Sequence, residues 1–398
     1  MPDLRSAAVP DRDLDLVLLG ATGFTGGLVA EHLARRVPAG TRWALGGRDR
    51  GRLEALRRRL GVDVEVVVAD VEDRASVRRL AESARVVGTT VGPYVEHGDP
   101  VVAACAAAGT DYADLAGEPE FFDRTYVRHA ATAERSGARL VSGCGFDSVP
   151  ADLGVQHCVE QLPAGVPLTV RGAVSAGGTF SGGTYRSAVL AFARHREAAA
   201  AHRERRASEP TVPPDRRVRL GRARPAYDRT LGAWTFPLPV LDPHVVAASA
   251  RRLPAYGPDF RYTHVAAVRR TRSAVALVGS AAALAALAPT RPGRALLDRL
   301  HIGRTGPSAD ERRHGWFRVR LFGEGGGRRV VTEVAGGDPG YGETAVMFGE
   351  SVLSLAFDDL PPTAGQVTPA VAMGPALRRR LIEQGLRFDV VATEGVAA

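Results

Sequence analysis

"LVLLGATGFTGG", Leu16 to Gly27, sets four apolar residues ahead of glycines at Gly20, Gly23 and Gly26. An apolar strand that turns on glycine into a helix lets backbone N–H groups approach a pyrophosphate with no Cβ in the way, and the helix dipole favours the negative charge. The spacing, G-x-x-G-x-x-G, is one residue wider between the first two glycines than the usual dinucleotide fingerprint. Its context supplies the specificity that the motif alone lacks, because a strand precedes it and a helix follows within a unit of about 30 residues. The stretch therefore predicts a dinucleotide loop of Gly20, Thr22, Gly23, Phe24, Thr25 and Gly26. A glycine-rich turn of purely structural meaning is the alternative.

The end of the second strand decides which dinucleotide, since an acidic side chain there holds a ribose 2′-hydroxyl whereas an arginine accommodates a 2′-phosphate. The sequence reads "GGRDRGRL", with Arg48 first and Arg52 one turn on. Asp49 is then the N-cap of a helix beginning at Arg50. The expected cofactor is NADP(H). Asp70, closing the third strand, is placed either to reach the adenine or as a turn residue.

Outward from this loop the first 150 residues alternate apolar runs and amphipathic segments. Strands are expected at 15–20, 42–47, 64–70, 85–92, 111–117 and 139–145, with helices at 25–36, 50–60, 74–83, 98–108 and 119–136. Apolar runs separated by helices predict a parallel sheet covered on both faces, with ligands at the carboxyl ends of its strands. The fold class is α/β, a Rossmann-type doubly wound sheet of six strands followed by a second α+β domain. The expected organisation is a loose leader over 1–13, a nucleotide-binding domain over 14–150, and a second domain over 151–340. A C-terminal segment over 341–398 has the option of packing back on the first domain. Within the second domain, 208–243 carries seven prolines and reads as a surface excursion. Segments 315–325 and 327–336 read as a hairpin. The uncharged, alanine-rich run Ser273–Thr290 reads as a buried or interfacial helix rather than a membrane span.

Composition excludes several chemistries. All 52 basic residues are arginine, so no phosphate-loop NTPase, Schiff-base enzyme or Tyr/Lys proton relay is available. Three cysteines, Cys105, Cys144 and Cys158, are no disulfide framework, and the ten histidines show no metal spacing. No metal is expected, and the absence of a signal pattern suggests a cytoplasmic protein. Arg194 to Arg229 holds eleven arginines against five acids, a net of +6. Without interleaved aromatics this is no nucleic-acid module, so the segment is expected to meet an acidic carrier protein, a CoA phosphate or an anionic membrane surface.

"GATGFTGG", "ALGGRDRGRLEAL", "VGPYVEHGDPVVAACAAAGTDYADLAGE" and "GFDSVPADLG" stand in register, followed by "SGGTYRS" and "GGDPGYGETA". With these motifs the chain resembles the saccharopine dehydrogenase-like oxidoreductases, and within them the bacterial trans-acting enoyl reductases of lipid and polyketide biosynthesis. The resemblance covers most of the chain. It implies an NADP-type Rossmann domain, a second α/β domain, and reduction of a carbon–carbon double bond in an acyl chain. Carrier-bound acyl substrate and an acyl carrier protein are the implied partners; a homodimer and peripheral membrane contact stay open.

Enoyl reduction needs a hydride at the β-carbon, a donor near the thioester oxygen and a proton for the α-carbon. Tyr94, after the fourth strand, is the first choice for a donor, and Gly92 and Pro93 beside it should run along the cofactor. His97 in the same loop is second. Asp147, at the end of the sixth strand, is placed either to contact substrate or to anchor backbone. The loop Gly177–Thr184 could cradle a phosphate, with Tyr185 behind it. Each of these has a plain reading as a packed or solvated residue; Cys144 reads as a buried thiol, and Glu118 precedes Pro119 at a helix start that does not specially call for glutamate. Two other functions remain: a saccharopine-type amino-acid dehydrogenase, and a non-catalytic, lipid-associated NADP-binding protein.

Overall fold

The computed structural model describes residues 12–177, 189–210, 216–238, 240–301 and 308–395. Most of the expected leader, and with it Tyr185 and its glycine loop, lies outside the described residues.

The chain opens with β1 (Leu14–Leu19), α1 (Phe24–Arg36), β2 (Trp43–Gly47), α2 (Arg50–Leu60), β3 (Glu65–Val68) and α3 (Arg74–Ser83). It continues through β4 (Ala84–Thr89), α4 (Tyr94–His97), α5 (Asp99–Ala108), β5 (Asp111–Asp114), α6 (Pro119–Ser136) and β6 (Arg139–Val141). Apart from the one-turn α4, read as a loop, these elements fall close to where the apolar periodicity predicts them. Leu16, Val17 and Leu18 are fully buried, as strands sandwiched between helix layers require. Asp49 caps α2, its Oδ1 accepting the N–H of Arg52 at 3.0 Å, and Asp73 caps α3 in the same way.

After β6 come α7 (Val149–Val159), β7 (Leu168–Gly177), α8 (His195–Ser208), β8 (Arg217–Leu220), β9 (Ala226–Asp228) and β10 (Ala233–Pro237). Then follow α9 (Asp242–Arg252), β11 (Asp259–Val268), α10 (Thr271–Leu287), α11 (Arg291–His301), α12 (Ala309–Arg313), β12 (Trp316–Gly325) and β13 (Arg328–Gly336). The chain ends with α13 (Gly342–Phe357), β14 (Gly365–Val367), α14 (Pro369–Ala372), α15 (Gly374–Glu383) and β15 (Arg387–Gly395).

Two compact units divide these elements. The first takes the chain to Ala116, Glu120–Val149 and Tyr341–Gln384; the second takes Gly117–Pro119, Pro150–Gly340 and the chain from Gly385. The segment read as one C-terminal piece over 341–398 is thus shared between the units. The first unit is a parallel sheet in the order β14-β6-β5-β4-β1-β2-β3. That is seven strands where the sequence showed six. The seventh, Gly365-Gln366-Val367, is buried over three residues, too short a run for any periodicity to mark it. Between β14 and β6 the sheet is held by parallel pairing of Gly365 with Arg139 and Val367 with Val141.

The second unit is a mixed sheet in the order β15-β13-β12-β7-β11-β10-β9, with β8 also paired to β11. β12 and β13 form the expected hairpin, turned on Gly326 and Gly327 with φ of 55° and 74°. Two consecutive positive φ values suit a two-residue hairpin turn and glycine alone meets them freely. The segment read as a surface excursion at 208–243 gives β8, β9 and β10 to the sheet, with β8 and β9 mostly exposed. Alternation marks β10, with Ala233 and Thr235 buried, and Pro237 sits at its end, where a missing N–H costs no ladder bond. Of the two readings of Ser273–Thr290, buried or interfacial, the buried one is overturned, since within α10 Ala274 alone is buried. No helix among the described residues is long and apolar enough to cross a membrane.

Candidate active site

The carboxyl ends of β1, β4, β5 and β6 converge on one edge of the first unit. Gly20 leaves β1 with φ +87°, a conformation that side chains rarely adopt. Its N–H bonds to the Gly46 carbonyl at 2.9 Å, and its carbonyl accepts the Gly23 N–H at 3.0 Å, which closes the turn. A Cβ on Gly20 would lie 2.7 Å from Thr90 Oγ1, and one on Gly26 would lie 2.1 Å from the Gly20 carbonyl oxygen. Thr90 Oγ1 also donates to that carbonyl at 3.1 Å, so the β4 end and the glycine loop are built as one piece.

The helix that follows is left open at its start. Gly23 is the N-cap and offers no side-chain cap, and the first turn of α1 contains no acid. A helix start with no side-chain cap and no competing carboxylate suits a pyrophosphate, so the residues present fit a dinucleotide. Thr22 and Thr25 are partly exposed in this turn, and Phe24, 44% exposed, sits edge-on to Tyr341 with ring centroids 4.6 Å apart.

Two arginines beside the loop are differently employed. Arg52 donates through Nη2 to the Thr22 carbonyl at 3.1 Å, bracing the loop. Arg48, directly after β2, is exposed and makes no hydrogen bond or ion pair among the described residues. Its guanidinium is therefore available for a phosphate. Asp70 spends its side chain in a turn, Oδ1 accepting the Glu72 N–H at 3.1 Å, while its backbone pairs with Ser76.

Beyond β4, Gly92 and Pro93 lead into α4, joined by a cis peptide bond. Tyr94 is buried, and its phenol is held at both ends by backbone. It donates to the Thr89 carbonyl at 3.0 Å and accepts the Leu115 N–H at 3.2 Å, tying the ends of β4 and β5 together. His97 lies at the far end of α4, about a third exposed, with Nε2 3.9 Å from Glu96. Asp114, which the sequence reading passed over, is the hub of the β5 and β6 ends. Oδ1 accepts the N–H groups of Ala116 and Gly143, each at 2.8 Å, and Oδ2 accepts the Ser142 hydroxyl at 3.0 Å. Burial pushes the Asp114 carboxyl above its ordinary range, against the pull of these donors.

Asp147 stands apart from this network. It follows β6 in a turn whose neighbours are engaged: Ser148 Oγ donates to the Gly143 carbonyl, and the Phe146 N–H reaches Thr344 Oγ1 at 3.3 Å. Asp147 itself makes no hydrogen bond or ion pair among the described residues. Desolvation pushes its pKa up to about 6. Cys144, one turn earlier, is fully buried with its N–H on the Asp114 carbonyl, a structural position. Glu118 is buried as well, in the short segment that belongs to the second unit.

The sequence reading missed Thr90, Asp114, Tyr341 and Thr344. Thr90 and Asp114 each lie at a strand end, the position where this sheet class gathers ligand contacts, and that signal was available. Tyr341 and Thr344 lie in the stretch "GGDPGYGETA", which carried the resemblance but gave no sign that it returns to the first unit.

A doubly wound parallel sheet with an uncapped first helix, a glycine turn that tolerates no Cβ and a free arginine after β2 belongs to the dinucleotide-dependent oxidoreductases. The saccharopine dehydrogenase NADP binding domain matches residues 16–141. Over 410 residues the chain is 38% identical to Rv2449c of Mycobacterium tuberculosis, covering 95% of this chain and 97% of that one. It is also 36% identical to a trans-acting enoyl reductase of Mycobacterium ulcerans, covering 94% and 97%. The chain belongs to the trans-acting enoyl reductases, within the saccharopine dehydrogenase-like oxidoreductases. It is an NADP-dependent oxidoreductase whose cofactor is NADP(H). Saccharopine dehydrogenase (L-Glu forming) from Saccharomyces cerevisiae shares the fold, with a TM-score of 0.54 at 13% identity over 95% of this chain and 99% of that one.

Proposed function

We propose that this chain reduces the carbon–carbon double bond of an enoyl thioester presented on an acyl carrier, during assembly of a lipid or polyketide chain. The observation that carries the reading is Asp147, a carboxyl with no partner among the described residues, after the β6 end of a sheet in a chain whose relatives are named trans-acting enoyl reductases. NADPH supplies the hydride when bound. Gly20, Gly23 and the uncapped start of α1 would hold its pyrophosphate, and Arg48 would take the 2′-phosphate. With a pKa near 6, Asp147 keeps a protonated fraction at neutral pH and can hand a proton to the α-carbon.

Tyr94 has a positioning part in this reading, because its phenol proton is committed to the Thr89 carbonyl and its oxygen to the Leu115 N–H. Gly92 and Pro93 would line the nicotinamide end of the cofactor, with His97 at the far end of α4. A "trans-acting" enzyme works on a chain borne by another polypeptide, and the exposed arginines of α8 and β8, such as Arg203, Arg206 and Arg217, suit an acidic carrier.

The test is NADPH oxidation by the purified full-length chain with enoyl thioesters on CoA and on a carrier protein, against glutamate with a semialdehyde. Turnover of an enoyl thioester with loss of its double bond is expected. Turnover confined to the amino-acid pair would overturn the reading in favour of a saccharopine-type dehydrogenase. NADPH binding with no turnover of either would overturn it in favour of a non-catalytic, lipid-associated protein.

A further inference from the structure

α10 carries no charge from Ser273 to Leu287 and yet lies largely open to solvent. Near its end, Leu284 and Leu287 pack into a small cluster with Val189, Phe192, Ala288 and Leu297, and Ala274 is buried near its start. The opposite face shows Val275 at 67% and Val278 at 49% exposure, continued by the exposed Ala282, Ala285 and Ala286. An outward helix face normally carries charged or polar residues, and a helix apolar all round is normally covered. Leu296 on α11, 46% exposed, adds to the apolar surface of the same helix pair.

Charge says what covers it. Between Asp259 and Asp298 there is no acidic residue. Arg269, Arg270 and Arg272 stand exposed before and at the start of α10, and Arg291 stands exposed at the start of α11. None of the four makes an ion pair or hydrogen bond among the described residues. Free cations at both ends of an apolar face match a surface that is apolar inside and anionic at its rim.

We propose that α10 lies in the headgroup plane of an anionic phospholipid bilayer, with Val275 and Val278 toward the acyl chains and the four arginines on lipid phosphates. Seventeen residues of helix, about 25 Å long, lie along such a surface without crossing it. Long arginine stems reach from the helix ends to phosphate while the apolar face stays below. The inference is independent of the substrate reading, because no residue of α10 belongs to the cofactor edge.

Vesicle flotation of the full-length chain tests it, with phosphatidylcholine alone and with phosphatidylcholine plus phosphatidylglycerol. Binding to the anionic vesicles alone, weakened by salt, is expected. Replacing Arg269, Arg270 and Arg272 together with alanine should lower the partition coefficient by roughly a hundredfold. Val275→Asp with Val278→Asp should abolish flotation while NADPH affinity and the melting temperature stay unchanged, since both side chains are exposed. Failure of the wild type to float with anionic vesicles, or equal flotation with neutral ones, would overturn the proposal. So would a dimer, seen by light scattering without lipid, that the two aspartates split, because the face would then belong to a second copy.

Discussion

A methyl group on Gly26 would sit 2.1 Å from the carbonyl oxygen of Gly20, six residues earlier across the turn. The two glycines are therefore one device. The first turns the chain with a positive φ, and the second lets the helix start against that turn's own carbonyl.

Gly26→Ala forces that carbonyl or the first turn of α1 to move, because the obstacle is backbone rather than a flexible side chain. NADPH affinity should fall more than tenfold, with a stability loss of about 1–3 kcal/mol. Fluorescence titration with NADPH and thermal melting measure the two.

Arg48 and Arg52 separate by substitution. Arg48→Ala should weaken NADPH binding by about tenfold and leave NADH binding nearly unchanged, since one phosphate contact is lost. Arg52→Ala should weaken both cofactors alike, because its bond is to the Thr22 carbonyl of the loop they share. Paired titrations with the two nucleotides check this.

Asp147 gives a pH signature. Its folded pKa of about 6 stands above the ordinary 3.8, so the native state favours the protonated form. Stability from this group is full below about pH 4 and is lost as pH rises through 6, on the order of 3 kcal/mol at most. Asp147→Asn should flatten that limb of the stability profile. Under the proposed role it should also cut kcat by about a hundredfold or more and remove the fall in kcat above pH 6. Denaturant melts and kcat against pH, on both proteins, read the two effects separately.

Glu350 on α13 is fully buried, with His32 Nε2 at 2.9 Å and Arg36 Nε at 3.1 Å from one oxygen and Arg380 Nη1 at 3.2 Å from the other. Burial alone would push its carboxyl up, but His32 and Arg36 hold it below the ordinary range. Its stabilisation is present above the unfolded pKa and is lost as pH falls through the lower folded value. Glu350→Gln should destabilise by about 3–5 kcal/mol at pH 7, because it strands the cations that converge on that carboxyl. Denaturant melts of the variant and wild type at pH 7 and at pH 4 should show the gap shrinking at the lower pH.

The strands and helices of the first unit were legible wherever one segment carried its own signal, as in "LVLLG" or the Asp49 cap. Tyr94 shows where legibility ends. Its position after β4 is plain in the sequence, yet whether its phenol is free depends on the Thr89 carbonyl and on Leu115, twenty-one residues away. Asp147 is the converse, for it reads like its hydroxyl and acidic neighbours until the structure shows them bonded and it alone. The prolines of 208–243 hid the three strands between them, because turn signals outweigh short strands when only local pattern is read.

By itself the sequence determined the glycine turn, the alternation that makes a parallel sheet, the placing of an arginine directly after the second strand, and the exclusion of lysine chemistry. These rest on backbone freedom, periodicity and residue type, all local. Tertiary structure alone decided that Gly365–Val367 extends the sheet, that Tyr94 is tied and Asp147 is not, and that α10 turns an uncharged face outward. Each of these depends on which distant groups supply or withhold a hydrogen bond or an apolar cover, and no stretch of sequence contains its own neighbours.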